Sequence, residues 1–203
     1  DVQFTISHSG QRAQYSEDNW MTYYKASGDS STVSASATSV ACQSSTTYNS
    51  RTLIQYYVDW DPSLEFIRAD QTLLNKGGCY QNATSDNDAW VSRATEPWEE
   101  RWVNWALRPS VSSVDRVYIP TTTTNGTESR NDTVDILPLV PHWQTNVDEN
   151  FGFELALATY NQPSTASRDY GSNDYTSHNL IVSFTVKPTI ETFFYDSLGT
   201  GDI

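Results

Sequence analysis

The sequence predicts an all-β fold, a two-sheet antiparallel β-sandwich or jelly roll, on three observations. Thr, Tyr, Trp, Phe and Val suit a pleated, half-buried surface and are frequent, whereas long stretches of Ala, Leu, Glu and Lys are missing. Short segments that alternate apolar and polar residues are separated by polar turn signals. The chain has 203 residues, enough for one well-buried core, and no βαβ pattern, internal repeat or coiled-coil heptad is visible.

The alternating segments predict the strands in order. In Asp1–Ser7, Val2, Phe4 and Ile6 alternate with polar residues. The predicted strands are Asp1–Ser7, Trp20–Tyr24, Thr32–Ala41, Leu53–Trp60, Glu65–Leu74, Ala89–Thr95, Arg101–Trp105, Ser113–Pro120, Phe151–Tyr160 and Leu180–Val186. Between the predicted strands Ser113–Pro120 and Phe151–Tyr160, Pro138 and Pro141 limit the stretch 134–143 to at most one turn of helix.

The domain organisation predicted is one sandwich over residues 1–187, followed by a C-terminal tail or linker, 188–203. The tail contains the apolar and aromatic run Thr192–Tyr195. It either lies on the body of the domain or forms an inter-subunit strand.

The charge balance limits the partners. With 12 basic and 25 acidic residues, the formal charge is −13, so nucleic acids and anionic membrane faces are repelled overall. No apolar run approaches the ~20 residues of a membrane-spanning helix, so no transmembrane segment is expected. The acidity is interpreted as solubility outside the cell or as carboxylates that hold a structural Ca²⁺, for which Asp18, Asp59 and Asp169 are the candidate ligands.

Cysteines and glycosylation motifs indicate export. Cys42 and Cys79 predict one disulfide, worth on the order of 3–4 kcal/mol in the chain-entropy model, with two buried free thiols as the alternative. Three N-glycosylation motifs, at Asn82, Asn125 and Asn131, lie in polar, turn-like stretches. The chain begins with Asp rather than Met, which we interpret as a signal peptide removed or omitted. The predicted location is therefore secreted, extracellular or at the cell surface.

Three tryptophan-containing motifs follow one another: Glu96-Pro-Trp-Glu-Glu-Arg-Trp-Val-Asn-Trp-Ala-Leu-Arg-Pro109, then Val134-Asp-Ile-Leu-Pro-Leu-Val-Pro-His-Trp143, then Asn150-Phe-Gly-Phe-Glu-Leu-Ala-Leu157. This order resembles the DNRLRE family of secreted domains, and it is similar to the related alginate-binding carbohydrate-binding modules and disaggregatase-type domains. The resemblance spans residues 1–187 and implies a two-sheet antiparallel jelly roll. The chain departs from the family at Asn179, where Pro is usual, and in its long Ser/Thr-rich loops and cysteine pair.

The physical interpretation of these motifs is mainly structural. The large tryptophans are candidates for the core, and we expect Trp105 and Trp143 inside it. Asp135 is predicted to bond backbone amides at the start of the proline-broken turn, as an N-cap does. Gly152 is predicted to allow close backbone approach or a bulge.

Binding is favoured over catalysis. Aromatic residues in polar, loop-like contexts are candidates for a glycan platform, with ordinary core or rim aromatics as the alternative: Trp20, Tyr23, Tyr24, Tyr170 and Tyr175. Hydrolysis of sugars needs two carboxylates at a set separation. Glu96, Glu99 and Glu100, or Asp59 and Asp61 on one strand face, supply pairs of low specificity.

A lyase centre with His142 or His178 is conceivable, and no Gly-x-Ser-x-Gly elbow occurs. The predicted function is a non-catalytic extracellular adhesive or carbohydrate-binding domain, whose partner is a polysaccharide or other copies of itself. The alternatives are a structural subunit of an extracellular filament or coat assembled through strand exchange, and a small glycan-active enzyme.

Overall fold

The structure is a computed structural model that describes residues 2–6, 10–16, 39–44, 49–73, 87–99, 102–103, 106–121, 132–159, 166–171 and 180–186. The strands are β1 Val2–Ile6, β2 Gly10–Ser16, β3 Ser39–Ser44, β4 Asn49–Tyr56, β5 Leu64–Leu73, β6 Ala89–Ala94, β7 Val111–Ile119, β8 Asp132–Asp135, β9 Phe153–Leu157, β10 Ala166–Gly171 and β11 Leu180–Val186. The helical elements are a 3-10 helix Leu137–Leu139, the α-helix α1 Val140–Thr145, and a 3-10 helix Val147–Glu149.

The strands form two antiparallel sheets. In the described part of the chain, a four-stranded sheet has the order β1-β11-β5-β8. A seven-stranded sheet has the order β10-β3-β4-β9-β6-β7, with β2 also paired to β4. The prediction of an all-β, two-sheet antiparallel sandwich is therefore confirmed.

The main core lies between the sheets. Alternate residues of the central strands point inward, such as Ala89 and Val91 on β6 and Phe153 and Leu155 on β9. Helix α1 contributes Val140 and Trp143 to the same core.

An aromatic cluster fills part of this core. Trp143 is 1% exposed and stacks on Trp60, with ring centroids 5.3 Å apart. Phe66 meets Trp60 edge-on at 5.0 Å. Among the described residues, the indole N–H groups of Trp60 and Trp143 have no acceptor, so packing rather than hydrogen bonding holds the two rings.

The period-2 pattern located most of the strands. Strands β1, β6, β9 and β11 lie within their predicted segments, β5 and β7 agree to within a residue or two at their ends, and β4 starts before its predicted segment and ends at Tyr56. The predicted strand Arg101–Trp105 is wrong where it is described, because Trp102 lies in a turn. Sequence reasoning missed β2, β8 and β10, which are rich in polar residues or very short. Of the predicted strand Thr32–Ala41, residues 39–41 belong to β3, and Trp20–Tyr24 lies outside the described residues.

The helical content around the prolines exceeds the prediction of at most one turn. The 3-10 helix Leu137–Leu139 runs directly into the six residues of α1. Pro138 and Pro141 lie in the first turns of these two helices. The first N–H groups of a helix have no partner within it, so proline costs nothing there.

Two local predictions are confirmed. The backbone N–H of Leu137 donates to Asp135 Oδ1 at 2.9 Å, which caps the turn. Gly152 has φ +74°, and a Cβ added to it would lie 2.1 Å from the carbonyl oxygen of Ile54. Only glycine permits this approach of β9 to β4.

Several predictions fall outside the described residues. These concern Cys79, the three glycosylation motifs and the tail 188–203, whereas Cys42 lies in β3 opposite Arg168. The disulfide therefore stays a prediction. No helix in the described part of the chain is long and apolar enough to span a membrane.

Candidate functional site

The outer face of the seven-stranded sheet is partly covered by the segment between β6 and β7. A second apolar cluster forms there from Leu53, Ala94, Trp98 and Val103, with Phe151 packed against it. The Trp98 indole N–H donates to the Phe151 carbonyl oxygen at 2.8 Å. This segment is called the covering loop below, and its described residues are 95–99, 102–103 and 106–110.

Glu96 closes the base of the covering loop. Its carboxylate accepts hydrogen bonds from the backbone N–H of Ser110 at 3.1 Å and from the Ser110 hydroxyl at 3.2 Å. Beside it, the Thr95 N–H donates to the Ser110 carbonyl oxygen at 2.9 Å. Trp98 and Glu96 therefore have structural roles, whereas Trp102, in the same loop, is 68% exposed.

Two rows of side chains cross the strands on the outer face, one at the covering loop and one beyond it. The open row is Tyr118 on β7, Trp90 on β6 and Ala156 on β9, which are register partners. The buried row, two residues further along each strand, is Ser92, Glu154 and Leu53 on β6, β9 and β4, and the exposed Arg116 lies opposite Ser92 on β7. The two rows share a face because their inward neighbours, such as Val91 and Val117, pack on the main core.

Trp90 is held between two residues of β7. Its ring centroid lies 5.0 Å from that of Tyr118 at an interplanar angle of 56°, and Arg116 Cζ lies 3.9 Å from the Trp90 centroid. The Tyr118 hydroxyl donates to Asp88 Oδ2 at 2.9 Å. Tyr118 remains 48% exposed. The result is a preorganised surface with an aromatic face, a flat guanidinium and a fixed phenol.

Arg116 is an exposed residue of β7. Among the described residues it forms no ion pair, although the chain is strongly acidic. A guanidinium stacked on an indole keeps its N–H donors in the plane of the group and directed outward, where they match paired oxygen acceptors.

A separate group of charged residues lies where β6 and β7 meet α1. Arg93, with a side chain only 8% exposed, donates from Nε and Nη2 to Asp115 Oδ2 at 3.0 and 2.8 Å. These hydrogen bonds lower the pKa of Asp115 against the opposing effect of desolvation, and the charges of Arg93 and His142 and a bond with Ser112 lower it further. His142 Nε2 lies 2.9 Å from Glu149 Oε2.

His142 is one of the two candidates for a lyase centre, and the other, His178, lies outside the described residues. The described hydrogen bond of His142 is to a carboxylate, not to a tyrosine hydroxyl. Asp115 is committed to a mostly buried arginine. The contact of His142 with Glu149 joins α1 to the 3-10 helix after it.

The predicted glycan platform lies almost wholly outside the described residues. The residues outside the described part of the chain are Trp20, Tyr23, Tyr24 and Tyr175 of the platform, and also His178, Trp105 and the calcium candidate Asp18. Tyr170 and Asp169 lie in β10, opposite Val40 and Ala41. The structure therefore does not describe these aromatic residues as a group.

The remaining candidate carboxylates are not paired on a strand. Asp59 is exposed, and Asp61 follows it beyond the end of β4, so the prediction that both lie on one strand face is wrong. Asp61 accepts a hydrogen bond from the Ser63 N–H at 2.7 Å. In the described part of the chain, no group of three His, Cys, Asp or Glu residues is placed to hold a metal ion.

Sequence reasoning missed Trp90, Arg116 and Tyr118, although one signal was present. The alternation in Ser113–Pro120 puts Arg116 and Tyr118 on one face and Val117 and Ile119 on the other. A cation and an aromatic on the solvent face of a strand are candidates for binding, but the sequence alone does not pair them with Trp90.

Comparison with known proteins adds no assignment. No family model matches the chain, and no curated protein matches it. The class that the fold and surface define is a two-sheet antiparallel β-sandwich with an exposed aromatic and cationic row on one sheet.

Proposed function

We propose that this protein is a non-catalytic extracellular adhesive or carbohydrate-binding domain that binds a glycan on the outer face of its seven-stranded sheet. The observation that carries the proposal is the contact of Trp90 with both Tyr118 and Arg116 on a solvent-facing part of that sheet. The resemblance to secreted carbohydrate-binding modules supports the same conclusion.

The chemistry of this surface suits a sugar. A pyranose ring has apolar C–H faces and a rim of hydroxyl groups, so it needs an aromatic surface with hydrogen-bonding groups beside it. Tyr118 supplies the aromatic surface, and Arg116 and the Asp88 carboxylate lie at its sides. The surface is held in place before a ligand arrives, which lowers the entropy cost of binding. A nucleic acid is disfavoured by the net charge of −13.

Binding without catalysis is supported by the partners of three of the described acidic residues. Glu96 bonds Ser110, Asp115 pairs with Arg93, and Glu149 contacts His142. A carboxylate already held by a structural partner is a poor candidate for proton transfer to a substrate.

A glycan array that includes polyuronates, with Ca²⁺ present, tests the proposal, and calorimetry then measures the affinity for the glycans that bind. Tyr118→Ala and Trp90→Ala are each expected to weaken binding by about two- to tenfold, because a stacking contact contributes roughly 0.5–1.5 kcal/mol. Arg116→Gln removes the cation and keeps much of the side-chain length, so it is expected to weaken binding severalfold.

Tyr57→Ala is the matched control, because Tyr57 is another exposed tyrosine but follows β4 rather than lying on β6 or β7. It is expected to bind as the wild type does. If the array detects no glycan, or if Tyr57→Ala weakens binding while Tyr118→Ala does not, the proposal is wrong.

The features of an exported chain belong to the same proposal. We expect a disulfide between Cys42 and Cys79 and glycans on Asn82, Asn125 and Asn131 of the protein secreted from eukaryotic cells. Intact mass before and after enzymatic deglycosylation, with and without reductant, measures both. A mass equal to that of the bare, reduced chain would contradict this part of the proposal.

A structural subunit that binds copies of itself is the second candidate. In the described part of the chain, β7 pairs with β6 alone and is nine residues long, and an edge of that length is a template for pairing with another strand. The tail 188–203 is the segment proposed to pair. Light scattering of the full chain and of a chain ending at residue 187 tests this, and a full-length monomer at high concentration would contradict it.

A further inference from the structure

We infer, on the basis of the proposed function, that the glycan is an extended chain which crosses the strands of the seven-stranded sheet, and that Ala156 sets this specificity as the small residue over which the chain passes. The ligand class is thus an internal segment of a polysaccharide or an oligosaccharide of several units, not a single terminal sugar.

The exposure of the two rows defines the path. In the open row, Tyr118 is exposed, and Trp90 and Ala156 are partly exposed. In the buried row, Ser92, Glu154 and Leu53 are all buried. A ligand that begins on Tyr118 and Trp90 therefore continues over Ala156, along the row that is open to solvent.

The covering loop excludes a path along the strands beyond the buried row. Ala94 follows Ser92 on the same face of β6 and is fully buried with Trp98 and Val103. A chain that ran from Trp90 in this direction would meet the loop after one step. A saccharide chain that crosses the strands instead passes beside the covering loop and the buried row, which both lie on one side of it.

The spacing along the open row suits a saccharide repeat. Neighbouring strands lie about 4.8 Å apart, which is close to the length that one pyranose unit adds to a polysaccharide. From Tyr118 on β7 across β6 to Ala156 on β9 is two such steps, or roughly 10 Å, with one side chain of the row on each of the three strands. The row therefore has the length of about three sugar units.

The small side chain of Ala156 leaves room for this path. Its register partner is Trp90, so any bulk added at residue 156 rises next to the indole. On the β4 side, Arg51 pairs with Glu154 at 2.9 Å and places its guanidinium beside the row. The aromatic residues and Arg116 thus lie toward β7, the small side chain of Ala156 lies in the middle, and a second cation, Arg51, lies toward β4.

Calorimetry with a ladder of oligosaccharides, prepared from the polysaccharide that the array identifies, tests the inference. The wild type is expected to bind the trimer at least about tenfold more tightly than the monosaccharide, and longer chains no more tightly than the trimer or tetramer. Ala156→Ile is expected to weaken trimer binding about tenfold and to leave monosaccharide binding within about twofold.

Thr133→Ile is the matched control, because it places the same isoleucine side chain at an exposed strand position on the other sheet. Thermal unfolding establishes that each variant folds, and Ala156→Val replaces Ala156→Ile if the larger side chain prevents folding. The length dependence of the wild type needs no variant.

The outcomes separate this inference from the proposed function. If the wild type binds a glycan and Tyr118→Ala weakens binding, but affinity does not rise with chain length or Ala156→Ile has no effect, the crossing path is wrong and the function stands. If the wild type binds no glycan, both are wrong. A trimer preference that Ala156→Ile removes and Thr133→Ile retains supports both.

Discussion

Replacing Gly152 with alanine perturbs the start of β9, where it passes β4 most closely. Gly152 has φ +74°, a conformation that residues with a Cβ rarely adopt. An added Cβ would lie 2.1 Å from the Ile54 carbonyl oxygen and 2.7 Å from the Gln55 Cα. Both are backbone atoms of β4, so no side-chain rotation relieves the contact. The Gly152 carbonyl oxygen also accepts a hydrogen bond from the Ala94 N–H at 2.9 Å, which limits movement of residue 152 away from β4.

Two costs make up the expected loss of stability. The positive φ costs alanine roughly 1–2 kcal/mol. Moving one backbone segment away from another costs about 1–3 kcal/mol, as overpacking of a core does. Together these predict that Gly152→Ala lowers the free energy of unfolding by roughly 2–5 kcal/mol, a large part of the total for a single domain.

Gly152→Asn separates the two costs, because asparagine tolerates positive φ better than alanine but also carries a Cβ. Urea unfolding followed by tryptophan fluorescence measures all three proteins. We expect both variants to be strongly destabilised with an unchanged slope of free energy against denaturant, and asparagine to recover only about 1 kcal/mol. An Asn variant as stable as the wild type would refute the clash, and an equally stable Ala variant would refute the whole argument.

Three further predictions concern single side chains. Asp115→Ala leaves the mostly buried Arg93 unpaired and is expected to cost roughly 1–3 kcal/mol at neutral pH. Because the fold lowers the pKa of Asp115, the pair stabilises the protein above the ordinary value of 3.8 and this is lost as pH falls through the lowered pKa. The urea midpoints of the wild type and of Asp115→Ala should therefore converge in strong acid. A difference that stays constant with pH would contradict the pairing. Trp98→Phe removes the hydrogen bond to Phe151 and should lower the free energy of unfolding by about 1 kcal/mol. Trp98→Ala also removes the buried ring and should lower it by about 3–5 kcal/mol. Equal losses in urea unfolding would show that the hydrogen bond has no separate effect. Asp135→Ala removes the cap on Leu137 and should cost about 1 kcal/mol in thermal unfolding, with Asp135→Asn close to the wild type; an Asn variant as unstable as Ala would argue against capping.

The strands that the sequence located are those with one face on the core. In β5, inward residues such as Ala69 and Leu73 alternate with partly exposed ones, and this produced the period-2 signal. Strands β2 and β10 have few apolar residues, so their pairing with neighbours, which the sequence does not show, is what makes them strands.

The candidate surface was only half visible in the sequence. Arg116 and Tyr118 lie two residues apart, so their common face follows from strand geometry alone. Trp90 belongs to another strand, and the register that brings it to Tyr118 is set after the long connection between β6 and β7. Pairing across such a connection depends on the packing of the whole sheet, not on local sequence.

The sequence by itself determined the fold class, the cap at Asp135 and the need for glycine at residue 152. These follow from backbone geometry within a few residues, where Cβ direction, capping and φ are local properties. The sequence also placed Trp143 in the core, but only the tertiary structure decided which of the other described tryptophans are buried. Trp98 and Trp143 lie in apolar clusters, Trp102 faces solvent, and Trp90 stands on the open row. All four have the same side chain, and what covers each one comes from strands and loops distant in the sequence.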